Sequence, residues 1–302
     1  MNPRRKFQLI GLASAGMVAS ALMTATPAAA QPVLVPCSAT ALQAAITAAN
    51  TAGSGELLLT PGCTYSITTP VTGEDGLPQI TGDIRVVGSG DTITRAPSAT
   101  ATFRLLDVAS GGKLTLGGLT VSGGNPTGDG GGISNAGILT LNAVQVTKNS
   151  TGGNGGGVAN TGTLNTFATR ITDNTATTGG GGIFNGSSAT AALRASSLDD
   201  NTTTGANSQG GGILNHGGSV TGDLSSLGSN SATGAGSSGG GIATVGGTVR
   251  LTLDAVTDNH ATTAPGGILN NGGTVSLVLT GVFDNTPTNC AGSPSPVPGC
   301  FH

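Results

Sequence analysis

Asp173, Asp200, Asp258 and Asp284 each stand directly before an asparagine: Asn174, Asn201, Asn259 and Asn285. Side chains of an extended chain alternate in direction, so if each asparagine points into the protein its aspartate points out. Segments that stack as parallel strands lie about 4.8 Å apart. Asp173 and Asp200 then become neighbours, and so do Asp258 and Asp284. Like charges that close bind a cation or retain a proton. The four aspartates are therefore candidate ligands for a weak Ca²⁺ site, with Asp199 beside the first pair. Arg170, three residues before Asp173, can neutralise the same charge instead. Loops that splay the aspartates into water would abolish the site. Lys148 and Ser229 occupy the same place before Asn149 and Asn230.

Other chemistry-bearing residues are dispersed. His216, His260 and His302 lack the spacing of a metal site. The glycine runs 128–132 and 152–157 are not phosphate loops, because no Gly-Lys-Ser/Thr follows them. They lack the periodic aspartate of calcium nonapeptide repeats. Thr177, Thr204, Thr233 and Thr262 each fall three residues after a column asparagine. Such a threonine column suits a flat polar lattice such as ice or crystalline glycan, or else a turn whose hydroxyls bond their own backbone.

The elements that position these residues must come from an unusual composition. Gly supplies 54 and Pro 14 of 302 residues, charged residues are 8%, and there is one Tyr and no Trp. A formal charge of −3 excludes disorder driven by charge. Residues 1–30 read as an export signal: Arg4, Arg5 and Lys6, an apolar stretch from Leu9 to Ala25, and small residues at Ala28-Ala29-Ala30. Cleavage there removes three positive charges and leaves eight scattered Lys and Arg. With almost no aromatics to stack bases, a nucleic-acid binder is excluded. No second long apolar segment follows, so the sequence predicts a secreted chain with no membrane span. Four cysteines fit an oxidising compartment, with three pairings open.

Repeats fix the architecture. A Gly-Gly-aliphatic motif ends at Ile133, Val158, Ile183, Ile213, Ile242 and Ile268, at intervals of 25 to 30 residues. Asn135, Asn160, Asn185, Asn215 and Asn270 follow two residues later, and Thr244 breaks that column. A second column, Asn149, Asn174, Asn201, Asn230, Asn259 and Asn285, falls 16 to 18 residues after each aliphatic residue. Between the columns lie strand-period segments, as in Leu139-Thr140-Leu141 and Leu251-Thr252-Leu253. A repeat of this length with short strands and glycine turns is one coil of a parallel β-solenoid, whose apolar face is buried only by stacking. An inward asparagine bonds its equivalent one coil along and satisfies backbone groups at a sharp turn. Thr40 and Gln43 form a capping box for a helix with Leu42, Ala45, Ile46 and Ala49 on one face, ending at Gly53 and covering the open N-terminal end. The expected divisions are an export signal at 1–30, a cap and first coils at 31–122, regular coils at 123–288, and a closing tail at 289–302.

These features resemble secreted bacterial right-handed parallel β-helix repeat proteins of the pectate-lyase-like fold group. The resemblance rests on the Cys37–Gly53 helix, on 108–116 with its Gly111-Gly112-Lys113, on the Gly-Gly-Ile-x-Asn repeats, and on Asn289-Cys290 and Gly299-Cys300. Gly-Gly-Ile is also similar to one repeat of chlamydial polymorphic outer-membrane proteins. Their Phe-x-x-Asn repeat is missing here, since Phe184 precedes Asn185 directly. The resemblance implies an all-β, right-handed parallel β-helix with a short N-terminal capping helix. Six regular coils then hold the two ends roughly 30 Å apart, beyond the reach of a disulfide. The pairs are therefore Cys37–Cys63 and Cys290–Cys300. The expected function is a secreted non-catalytic scaffold or surface-interaction protein that binds envelope or matrix polysaccharide weakly, with no catalytic residue assigned. A polysaccharide lyase or glycoside hydrolase, Ca²⁺-dependent, is the alternative. An ice- or lattice-binding protein comes third.

Overall fold

The computed structural model describes residues 31–301. The expected export signal and His302 lie outside the described residues. The chain forms an all-β parallel solenoid of about 9 turns with one short helix. Each regular coil carries four short strands, except the last, which has three. In the first they are Ile133–Asn135, Ile138–Asn142, Gln145–Thr147 and Ser150–Thr151. Stacking makes a 7-stranded sheet from the first strand of each coil, a 17-stranded sheet from the second and third, and a 5-stranded sheet from the fourth.

Every pairing between these strands is parallel, and in the regular coils equivalent residues keep register. Leu164 faces Leu139 on one side and Ala191 on the other, and Ile171 faces Val146 and Leu198. A one-residue slip would turn every apolar side chain outward. Longer coils instead place their extra residues in the connections 186–189 and 204–209, which lie between strands. The aliphatic residue after each Gly-Gly builds one wall of the core: Ile133, Val158, Ile183, Ile213, Ile242 and Ile268 are all fully buried. Each such side chain stabilises the fold by roughly 1.5–3 kcal/mol.

The glycines serve close approach. A Cβ on Gly211 would fall 2.5 Å from the carbonyl oxygens of Gly240 and Ser231, so adjacent coils touch through backbone there. Gly210, one residue earlier, has φ +68°, which a side chain rarely adopts.

The helix spans Ala39–Ala52 and buries Leu42, Ile46 and Ala49 against the first strands. It ends in a left-handed Gly53 whose amide donates to Asn50 O. The expected Thr40–Gln43 capping box does not form. The N-cap is Ser38, with no side-chain cap bond. Gln43 instead donates from Nε2 to Gly76 O, tying the helix to a loop. The long strands of the first coils span Asp83–Arg95 and Lys113–Ser122. Both expected disulfides are present, with Cα separations of 5.6 Å for Cys37–Cys63 and 6.3 Å for Cys290–Cys300. One sits at each end of the solenoid.

Candidate functional site

Each coil bends twice within the long sheet and at its edge, and both bends use one residue in the left-handed region. The first bend lies between the second and third strands, at Ala143, Ala168, Ala195, Leu224, Leu253 and Leu279, with φ of 46° to 58°. The second precedes the fourth strand, at Lys148, Asp173, Asp200, Ser229, Asp258 and Asp284, with φ of 55° to 57°. Left-handed geometry favours Gly, Asn and Asp. The four candidate aspartates therefore occupy a turn that suits Asp on backbone grounds. All four are exposed. Among the described residues no group of three His, Cys, Asp or Glu side chains converges to hold a metal ion.

After the second bend comes the asparagine ladder. Asn149, Asn174, Asn201, Asn230 and Asn259 each donate from Nδ2 to Oδ1 of the next asparagine at 2.9–3.0 Å. The same Oδ1 accepts the backbone N–H of the preceding rung. Asn285 continues the ladder onto Asn289, a rung the sequence reading did not include. The column of Asn135, Asn160, Asn185 and Asn215 is linked likewise and passes to the Thr244 hydroxyl. Asn270, beyond that break, donates to Pro296 O in the tail.

After the first bend lies a second, unanticipated ladder. Thr169 N–H donates to Ser196 Oγ, Ser196 N–H to Ser225 Oγ, and Ser225 N–H to Asp254 Oδ1. These residues stand five positions before each ladder asparagine, a spacing present in the sequence. Their mixed chemistry, with Val144 at the same place in an earlier coil, conceals the column. Asp254 is 4% exposed. Its Oδ2 accepts the Thr252 amide at 2.9 Å. Burial pushes the Asp254 carboxyl above the ordinary carboxylate range, and nearby Asp223 adds to that, against the pull of the Ser225 and Thr252 amides. Gly222 leaves the space this carboxylate needs, since a Cβ there would overlap Asp254 Oδ2.

Along this first bend runs a shallow groove. One stretch, about 300 Å³, is lined by residues that include Gly90, Gly118, Gln145 and Arg170. The next, about 550 Å³, shares Ala168 and Arg170 and continues past Ser197, Ser226, Leu224 and Leu253 to Asp254. Its walls are hydroxyls, a guanidinium and exposed leucines: Leu224 is 61% and Leu253 49% exposed. The ion pairs among the described residues involve Arg85, Arg104 and Lys113, so Arg170, Arg194 and Arg250 carry none. Asp199 lies within the influence of Arg170. Burial pushes its carboxyl up and Asp200 adds to that, while the Ser197 hydroxyl, the Gly228 amide and Arg170 oppose them.

The remaining sequence candidates serve backbone or lie apart. The hydroxyls of Thr177, Thr233 and Thr262 bond backbone carbonyls of Thr151, Thr203 and Gly234. Exposed His260 meets the Thr286 hydroxyl at 3.0 Å, and His216 is exposed at the end of the strand Ile213–His216. All four cysteines are in disulfides. Compared with known proteins, the chain matches no family model, no curated protein and no solved structure.

Proposed function

We propose that the protein is exported and works outside the cell as a non-catalytic solenoid scaffold that holds an extended polysaccharide along the first-bend groove. The observation that carries this reading is the groove itself, which runs parallel to the stacking axis from Gly90 to Ala255. Its lining repeats with each coil, about every 4.8 Å, and a linear polymer of similar repeat meets equivalent groups at each step. Ser197, Ser226 and Gln145 offer hydrogen bonds, and Arg170 offers a cation for an acidic sugar. Sugar rings ordinarily stack on large rigid aromatics. Here Leu224 and Leu253 supply the apolar contact, which is consistent with weak binding. Two disulfides suit an oxidising compartment, and no helix among the described residues is long and apolar enough to cross a membrane.

Co-sedimentation and affinity electrophoresis with neutral and acidic polysaccharides test the reading. Binding should fall at least fivefold in Ser197→Trp and Ser226→Trp, which fill the groove. Retention on no polysaccharide, or retention indifferent to both substitutions, would sink it.

Asp254 favours the competing reading, a polysaccharide-cleaving enzyme, because a carboxyl held toward its protonated form is the state a general acid needs. An inverting hydrolase also requires a second carboxylate about 6.5–9.5 Å away. Turnover measured as reducing ends or unsaturated products, with and without Ca²⁺, and lost in Asp254→Asn, would replace the scaffold reading.

A further inference from the structure

The two ends of the long sheet are finished differently. At the N-terminal end the outermost strands are Val33–Val35, between Pro32 and Pro36, and Thr64–Ile67, which follows Cys63 of the Cys37–Cys63 disulfide; the helix lies against both. Flanking prolines and a covering helix hinder edge-to-edge pairing. At the other end the outermost strands are Thr274–Val278 and Gly281–Phe283. They pair only with the preceding coil.

The tail covers the other two sheets at this end. Ile268 N–H donates to Asn289 O, Ser295 N–H donates to Asn270 O, and Ala261 N–H donates to Thr286 O. Val297 and Cys300 pack on the core. The long sheet is left open. Thr274 and Gly281 donate backward, to Gly247 O and Asp254 O. Backbone polar groups alternate in direction along a strand. Val275, Leu277 and Val282 therefore turn their amides and carbonyls away from the solenoid. Among the described residues no backbone hydrogen bond from the tail reaches them. Exposed apolar side chains rim the edge: Leu279 at 81%, Phe283 at 50% and Phe301 at 81%.

Gly281–Phe283 is as short as Val33–Val35, but the protections of charge and proline are absent. From Ala261 to Phe283 there is no charged residue, and the two strands contain no proline. An uncharged edge meets its own copy without like-charge repulsion. Head-to-tail stacking would bring the blunted N-terminal end against it and generate an open filament, whereas edge-to-edge pairing of two equal surfaces closes at two chains.

We propose that the open edge formed by Thr274–Val278 and Gly281–Phe283 is a self-association surface, on which a second copy of this chain pairs about a two-fold axis. The strands of the two copies run antiparallel, and the outward amides of Val275 and Leu277 find carbonyl partners.

Light scattering coupled to size exclusion, run over a range of concentrations on the purified protein, tests this. The mass should approach twice that of one chain as concentration rises. The double variant Ser276→Lys with Val278→Lys sets like charges across the two-fold axis and should raise the dissociation constant at least tenfold. Thr221→Lys, on the same face inside the solenoid, should leave it unchanged. Hydrogen exchange on the unmodified protein gives a second measure: Val275, Leu277 and Val282 amides should gain protection as concentration rises. One-chain mass at every concentration would overturn the proposal. So would a dimer indifferent to the lysines, growth beyond two chains, or protection that does not change with concentration.

Discussion

The two bends of each coil solve the same backbone problem with different side chains. Both place one residue at φ near +55°, followed throughout the second bend and in the later coils of the first by a side-chain oxygen that accepts an N–H from the coil before. At the second bend the follower is always asparagine from Asn149 to Asn285, and its amide both accepts and donates. The column closes on itself and is buried throughout. At the first bend the followers are Thr169, Ser196, Ser225 and Asp254. Ser196, Ser225, Asp254 and Thr280 accept an N–H from the coil before, whereas the Thr169 hydroxyl donates to Leu141 O and Val144 has no side-chain oxygen, so the chemistry varies along this bend, where the groove runs. The difference separates a structural seam from a surface that tolerates change.

The strongest way to break this comparison is to remove one rung from each ladder. Asn201→Ala deletes the acceptor of Asn174 N–H and Nδ2 and the donor to Ile171 O and Asn230 Oδ1. Four buried polar partners are affected in a site with no exposure. The expected loss is about 3–5 kcal/mol, read by urea denaturation. Ser196→Ala removes the acceptor of Thr169 N–H, a bond to the Arg194 carbonyl and the hydrogen bond with the buried Thr166 hydroxyl, and should cost about 2 kcal/mol. Equal losses at the two sites would show that the bends are energetically equivalent and that the groove side is no freer to change.

The same contrast explains what could be read from the residues alone. The asparagine columns, the Ile and Val walls and the coil length were legible because each position demands one residue type. The hydroxyl ladder was not, because any small side chain carrying an oxygen satisfies it. The left-handed bends at Leu224 and Leu253 were hidden for the opposite reason, since leucine disfavours that conformation. The helix was legible from its buried face, but its cap was not: Gln43 is recruited by Gly76 O, a contact made only in three dimensions. The aspartate column was visible as spacing, and the structure adds a backbone motive, the left-handed turn, beside the cation reading.

A pH titration sharpens the comparison, because only the first-bend ladder contains an ionisable rung. The folded pKa of Asp254 is raised, so the native chain holds that proton more tightly than the unfolded chain. Its effect on stability is unfavourable above the raised folded value. Stability rises as pH falls through that value and levels off near the ordinary carboxylate pKa of about 4. Asp75 and Asp199, also raised chiefly by burial, act in the same direction. Glu74 acts oppositely. Burial alone would raise it, but the Thr127 hydroxyl, the Thr127 and Gly128 amides and Arg104 together lower it. Its contribution is present above the unfolded pKa and is lost as pH falls through the lowered folded value. Asp254→Ser keeps an oxygen for the Ser225 amide and removes the charge. The change at neutral pH should be about 1 kcal/mol or less, and the gain in melting temperature that Asp254 contributes as pH falls should disappear. An unchanged profile would remove Asp254 from the account of acid response.

The smallest effect concerns the leucines, and its sign matters more than its size. Gly118, Ala143, Ala168 and Ala195 hold the first bend in the earlier coils, and Leu224, Leu253 and Leu279 hold it in the last three. Left-handed geometry costs a residue with a Cβ roughly 1–2 kcal/mol, and asparagine adopts it more readily. Leu279 is 81% exposed and Leu224 61%, so little burial offsets that cost. Leu224→Asn with Leu253→Asn should therefore leave stability unchanged or raise it by about 0.5 kcal/mol. If these side chains supply the groove's apolar contact, the same double variant should lose polysaccharide retention. Stability gained together with binding lost would mean that the leucines sit at strained bends because the groove uses them. Stability lost would mean that they pack more than their exposure suggests, and the groove would then owe its affinity to Arg170 and the hydroxyls alone.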